Sequence, residues 1–238
     1  MVNMSKVISN CLPLCAPQPE QSDRELDSFP EAVARQPLKQ SKPTISPAFE
    51  FQQLINKRIL SLQQRRSFTE PEFQEDLDRQ MQDAKNLEEM AEKLMVGVER
   101  EKSVVQLFTQ VASNIRQHQL LHYESTALHN VYALASHRSG DCESVCKLYA
   151  FVAWSAGHKN IKLKQLKGTF NFKLDHDGIM LDRQKDDTFN FVLHTVLQSK
   201  DNSGKSFFFD PLFGQCVDIS GYGEGLDRYL GKTESAIK

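Results

Sequence analysis

Ser139-Gly140-Asp141-Cys142-Glu143-Ser144-Val145-Cys146 is the stretch at which this chain changes character. Val145, Leu148, Tyr149, Val152 and Ala156 make one apolar helical face, and Gly157 offers a left-handed stop just past it. Before this helix the apolar residues recur at helical spacing; after it the period shortens to two. Helices first and an antiparallel sheet after them predict an α+β chain. The same stretch sets Cys142 where the helix begins. There the positive end of the helix dipole favours a thiolate, and backbone N–H groups without helical partners can face an oxyanion. Cys146, one turn further in, fits a small buried apolar residue instead.

Upstream, Thr69-Glu70-Pro71-Glu72 reads as an N-cap, a first-turn proline and a capping-box glutamate. Phe73, Leu77, Met81, Ala84, Leu87, Ala91 and Leu94 follow at helical spacing. Gly97 marks a bend, and Val104, Val105, Phe108, Val111, Ala112 and Ile115 continue a helical face, with another helix expected over Ala127 to Ala135. The charged run from Glu88 to Lys102 is read as the wet face of a helix. Before Thr69, Phe51, Leu54, Ile55 and Leu62 suggest a short helix from Phe49 to Leu62, assigned with its surroundings to a linker over 49–68. Residues 1–48 are rich in Ser, Pro and Gln without sustained periodicity and read as a disordered leader. The rest, 69–238, is taken as one domain, its helical part spanning 69–135 and its core 136–220.

Downstream, Phe170, Phe172 and Leu174 alternate, and Asp175-His176-Asp177-Gly178 reads as a hairpin turn. Phe189, Phe191, Leu193, Thr195 and Leu197 alternate next, and the polar stretch Ser199 to Lys205 leads into a strand beginning at Phe207. A hairpin centred on Asn202 would set His194 directly opposite Asp210. Their Cβ atoms would then be about 4.5–5.5 Å apart on one sheet face, an inference that depends on register. A thiol, an imidazole and a carboxylate are the parts of a cysteine nucleophile system: Cys142 attacks, His194 moves the proton and Asp210 orients the imidazole.

Composition limits the alternatives. The chain has 238 residues, a formal charge of -2 and 5 cysteines. Near neutrality argues against nucleic acid as the main partner, and no apolar run reaches the length of a transmembrane segment. Met1 to Pro19 has no Sec-type signal pattern. An odd, irregularly spaced set of cysteines is not a disulfide framework, and a reducing compartment is the simpler expectation. His118 and His122 are expected on one helical face without a third ligand at zinc spacing. Gly221, Gly223 and Gly225 lack the context of a phosphate loop, and no EF-hand loop is present. Neither a cofactor nor a metal is expected. Cys11 and Cys15 could accept an acyl chain, but no second membrane signal accompanies them.

Gly140-Asp141-Cys142 through Ser155-Ala156-Gly157 resembles the cysteine helix of the transglutaminase-like, papain-related superfamily. Leu193-His194-Thr195-Val196 resembles that family's histidine strand, and Phe209-Asp210-Pro211-Leu212-Phe213-Gly214 its Asp-Pro segment. The resemblance covers roughly Ala127 to Ile219. It implies a core with the nucleophile at a helix N-terminus against an antiparallel sheet, with Cys142 as nucleophile, His194 as base and Asp210 as its orienter. Thr195 and Val196 stand where many members carry a tryptophan, while the lone Trp154 is read as packing. No oxyanion side chain is assigned; His137 and Arg138 are the nearest candidates.

The implied function is acyl transfer from protein amides through a thioester, as a glutamine deamidase or transglutaminase. A cysteine protease of the same superfamily and a non-catalytic effector or interaction module are the alternatives. An arylamine acyltransferase, which shares the Cys–His–Asp plan, is disfavoured by the missing second glycine before Cys142 and by the shorter chain. A disordered leader before such a domain resembles secreted bacterial effectors. That analogy implies a host protein as substrate, a secretion chaperone on the N-terminal segment and release into the host cytoplasm. Without it, the expectation is a soluble cytoplasmic protein.

Overall fold

The computed structural model describes residues 45–124, 130–173, 188–201, 203–217 and 225–229. The chain is α+β. Among the described residues, five helices, α1 (Pro47–Arg66), α2 (Pro71–Leu94), α3 (Val104–Gln117), α4 (Ala133–His137) and α5 (Cys142–Ser155), precede the main sheet. That sheet is antiparallel, in the order β6 (Gln215–Val217), β5 (Ser206–Asp210), β4 (Thr188–Lys200), β3 (Lys162–Lys173), β7 (Gly225–Tyr229). A small parallel pair, β1 (His122–Tyr123) and β2 (Ser139–Gly140), lies between the helices in sequence.

The centre of the fold is α5. It touches α1 and α3 as well as β3 and β4, and every residue from Ser144 to Ser155 is buried. A helix enclosed in this way is apolar on nearly all sides rather than along one stripe. Aromatic side chains tie it to its neighbours. Phe51 of α1 lies 4.7 Å, centroid to centroid, from Phe151. Phe108 of α3, Tyr149 of α5 and Phe209 of β5 meet in a three-ring cluster with separations of 5.1 to 5.8 Å. Burying each such ring contributes roughly 1.5–3 kcal/mol. At the far end the backbone of α5 turns over at Gly157, φ +97°. Gly157 N–H donates to Trp154 O and His158 N–H to Ala153 O, the paired bonds of a Schellman stop.

Several helical expectations need correction. The segment read as a linker is a 20-residue helix whose Phe51, Ile55 and Leu62 are fully buried. It starts at Pro47, inside the proposed leader, because the Ser46 hydroxyl caps it by accepting from Phe49 N–H at 3.2 Å. The rest of the leader reading, with Cys11 and Cys15, falls on residues outside those described. Thr69 is not the N-cap of α2; Glu70 holds that position without a side-chain bond. The Thr69 hydroxyl instead donates to Arg65 O at the end of α1. The capping box belongs to α3, between Ser103 and Gln106.

The charged run leaves the helix at Leu94, and its second half is connection, held by Lys102 Nζ donating to Gly97 O and by an Arg100–Glu50 ion pair. Asn114 of α3 reaches back across that connection, its Nδ2 donating to Leu94 O and Val96 O. His118 and His122 do not share a helical face, since α3 ends at Gln117 and His122 is on β1. The helix expected over Ala127 to Ala135 is the shorter α4; residues 125–129 are outside the description.

In the sheet, the Asp175–Gly178 turn, Gly221 and Gly223 also lie outside the described residues, and Gly225 begins β7. The β4–β5 hairpin is centred one residue later than expected: Leu197 faces Phe209 and Lys200 faces Ser206. Asp201 explains the offset. Its N–H donates to Lys205 O, and its Oδ1 gathers Ser203 N–H, Ser203 Oγ–H and Lys205 N–H. The loop therefore closes between Asp201 and Lys205, about Ser203. Asp210 comes opposite Val196 rather than His194. Because the partner moves by two positions, His194 keeps its face of the sheet.

Candidate active site

The start of α5 is built by Asp141. In extended backbone (φ -83°, ψ 176°), it accepts through Oδ1 from Ser144 N–H at 2.7 Å and from Ser144 Oγ–H at 2.6 Å. A carboxylate N-cap of this kind adds charge to the usual capping bond. The other acidic neighbour, Glu143, pairs with Lys147 at 2.9 Å one turn on. Both acids beside Cys142 thus have structural work. Gly140 is required by space, since a Cβ there would lie 2.5 Å from Leu134 Cδ2 and 2.9 Å from Val145 Cγ2. The resulting bend delivers Cys142, half-buried, at the first helical position, where its N–H has no helical acceptor. Cys146 is buried, and its thiol donates to Thr195 O at 3.3 Å, which holds α5 against β4 beside His194.

His194 and Asp210 are 0% and 1% exposed. They are diagonal rather than direct neighbours across β4 and β5, a spacing that long or aromatic side chains still bridge. His194 Nε2–H donates to Asp210 Oδ2 at 2.5 Å, and Asp210 Oδ1 accepts from Leu212 N–H at 2.9 Å. With Nε2 committed to the carboxylate, Nδ1 is the nitrogen left to serve a thiol. Burial is the largest influence on the imidazole and lowers its pKa. The charge and hydrogen bond of Asp210, with the influence of the nearby Cys142 thiol, outweigh it and raise the pKa to about 10. The structure thus joins His194 to Asp210 directly, and Cys142 lies near enough to the imidazole to influence its pKa. Chemically, the arrangement can hold an imidazolium beside a thiol and return its proton to a leaving group.

Tyr123 is a neighbour that sequence reasoning missed. It lies on β1 opposite Gly140, half-buried. Burial pushes its phenol pKa up, and the nearby Cys142, Asp141 and Asp210 push it further. A two-residue strand has too short a pattern to read, so no periodicity marked it. His137 and Arg138 are exposed, with Arg138 in a left-handed conformation at φ 50°. Thr195 and Val196 are buried, and Trp154 is 4% exposed with Lys159 Nζ 5.2 Å from its ring centroid. Among the described residues, no group of three or more His, Cys, Asp and Glu side chains could hold a metal ion. Among the same residues, no helix is long and apolar enough to cross a membrane. Compared with protein-family models, with curated proteins and with solved structures, the chain matches none.

Proposed function

We propose that this protein is a cysteine acyl-transfer enzyme acting on protein amides, of the glutamine deamidase or transglutaminase kind, with a papain-like core. The observation that carries the reading is the dry His194–Asp210 pair at 2.5 Å, coupled to a half-buried cysteine at a helix N-terminus. Cys142 as thiolate attacks the side-chain amide carbonyl. The His194 imidazolium gives its proton to departing ammonia, and a thioester forms. Water then yields the carboxylate, and a primary amine yields a new amide. Asp210 stabilises the imidazolium between these steps. In a secreted-effector setting the substrate is a protein of the host.

The test is intact-mass analysis of a glutamine-rich protein such as casein, incubated with the full chain with and without a primary amine. The mass change of amide-to-acid conversion, or an amine adduct, supports the reading when it disappears in Cys142→Ala. Fragments dependent on Cys142 point to the protease alternative. Full activity in Cys142→Ala refutes cysteine chemistry altogether.

A further inference from the structure

We propose that the Tyr123 phenol is a catalytic residue, the side-chain donor that receives the oxyanion formed when Cys142 attacks a carbonyl. The inference rests on the acyl-transfer reading above and adds the group that reading leaves unassigned. Three observations support it. Tyr123 is fixed relative to the nucleophile, because β1 pairs with the strand that leads into Cys142. His122 N–H donates to Arg138 O at 2.9 Å and Glu124 N–H to Gly140 O at 3.0 Å, on either side of it. Tyr123 and Cys142 are both half-buried at the margin of the same core, so each keeps a side open to an incoming group. The phenol lies within electrostatic reach of Cys142, Asp141 and Asp210, and these with burial keep it protonated and able to donate.

Among the described residues, the other side chains near Cys142 do not fit the task. Asp141 and Glu143 are carboxylates, which accept rather than donate. The Ser144 hydroxyl already donates to Asp141. His137 and Arg138 are exposed. In the proposed step, the Sγ lone pair forms the C–S bond while the carbonyl π pair moves onto oxygen. That oxygen accepts from Tyr123 O–H and from the Cys142 N–H. Collapse restores the carbonyl and breaks the bond to the leaving group, which departs with the His194 proton.

The test compares two reactions of the same thiol in the full chain. p-Nitrophenyl acetate acylates Cys142 through an oxyanion; iodoacetamide alkylates it by displacement at a methylene carbon, without one. Tyr123→Phe is expected to slow acylation about a hundredfold or more while the alkylation rate of Cys142 stays as in the native chain. An undiminished acylation rate overturns the proposal. So does a parallel loss of both rates, which would make Tyr123 a residue that positions the thiol. If the native chain is not acylated at Cys142 beyond the level of Cys142→Ala, the acyl-transfer reading itself falls, and this one with it.

Discussion

Replacing Asp210 by asparagine keeps the shape of the side chain and removes its charge, which isolates what that charge does to His194. In the native protein burial pulls the imidazole toward neutrality, and Asp210 with Cys142 reverses this, lifting its pKa from 6.5 to about 10. At roughly 1.4 kcal/mol per pKa unit, that distance is on the order of 5 kcal/mol in favour of the charged imidazole. Because the folded-state value is the higher one, the stabilisation is complete below about 6.5 and is lost as pH rises through about 10. Between these limits the folded protein holds a proton that the unfolded chain has released, so this group lowers stability by about 1.4 kcal/mol per pH unit. In Asp210→Asn the burial is opposed by Cys142 alone, and the imidazole should be largely neutral at neutral pH. Urea unfolding of both proteins from pH 6 to 10, read as the difference between them, should show this slope in the native chain only. An NMR titration, with His194 assigned by its loss in His194→Gln among the 7 histidines, gives the pKa directly. A native chain whose His194 titrates near 6.5, or a variant that keeps the slope, would refute the coupling.

Gly140→Ala forces a Cβ to within 2.5 Å of Leu134 Cδ2, and overpacking of this kind costs about 1–3 kcal/mol. Calorimetry should record a Tm lower by several degrees, and an unchanged Tm would show that the turn relaxes freely. Asn114→Ala strips the bonds to Leu94 O and Val96 O; with the buried Leu94 carbonyl left unpaired, denaturant midpoints should fall by the equivalent of about 1–3 kcal/mol. Tyr149→Phe removes a hydroxyl that is fully buried without a hydrogen-bond partner among the described residues. It should leave stability equal or higher by up to about 1 kcal/mol, and a clear loss would mean that the hydroxyl is bonded after all.

How far the sequence could be read depended on the reach of each signal. The start of α5, its glycine stop and the shared face of His194 and Asp210 were legible because local pattern determines them. Register was not. The sequence is consistent with a loop symmetric about Asn202, but Asp201 collects three donors and fixes the loop about Ser203. His194 and Asp210 still share a face only because the partner moved by two positions, which turned the expected direct pair into a diagonal one. The extent of α1 was hidden by composition, since Pro47 looks like part of a proline-rich leader unless Ser46 is seen to cap a helix. Thr69 reads as an N-cap of α2, but its hydroxyl bonds back to Arg65 O, four residues earlier at the end of α1. Tyr123 was invisible because its place near Cys142 comes from pairing with Gly140, a contact no periodicity encodes.

The enclosure of α5 has a consequence for the order in which this protein can be assembled. The helix draws partners from α1 and α3, made before it, and from β3 and β4, made after it. During synthesis Cys142 and Cys146 therefore emerge on a helix whose apolar sides have helical neighbours but no sheet. His194 and Asp210 have yet to be made. Cys142 is present long before the buried His194–Asp210 pair, and the thiol bond from Cys146 to Thr195 must wait for β4. The β4–β5 hairpin thus supplies both sheet cover for α5 and the His194–Asp210 pair.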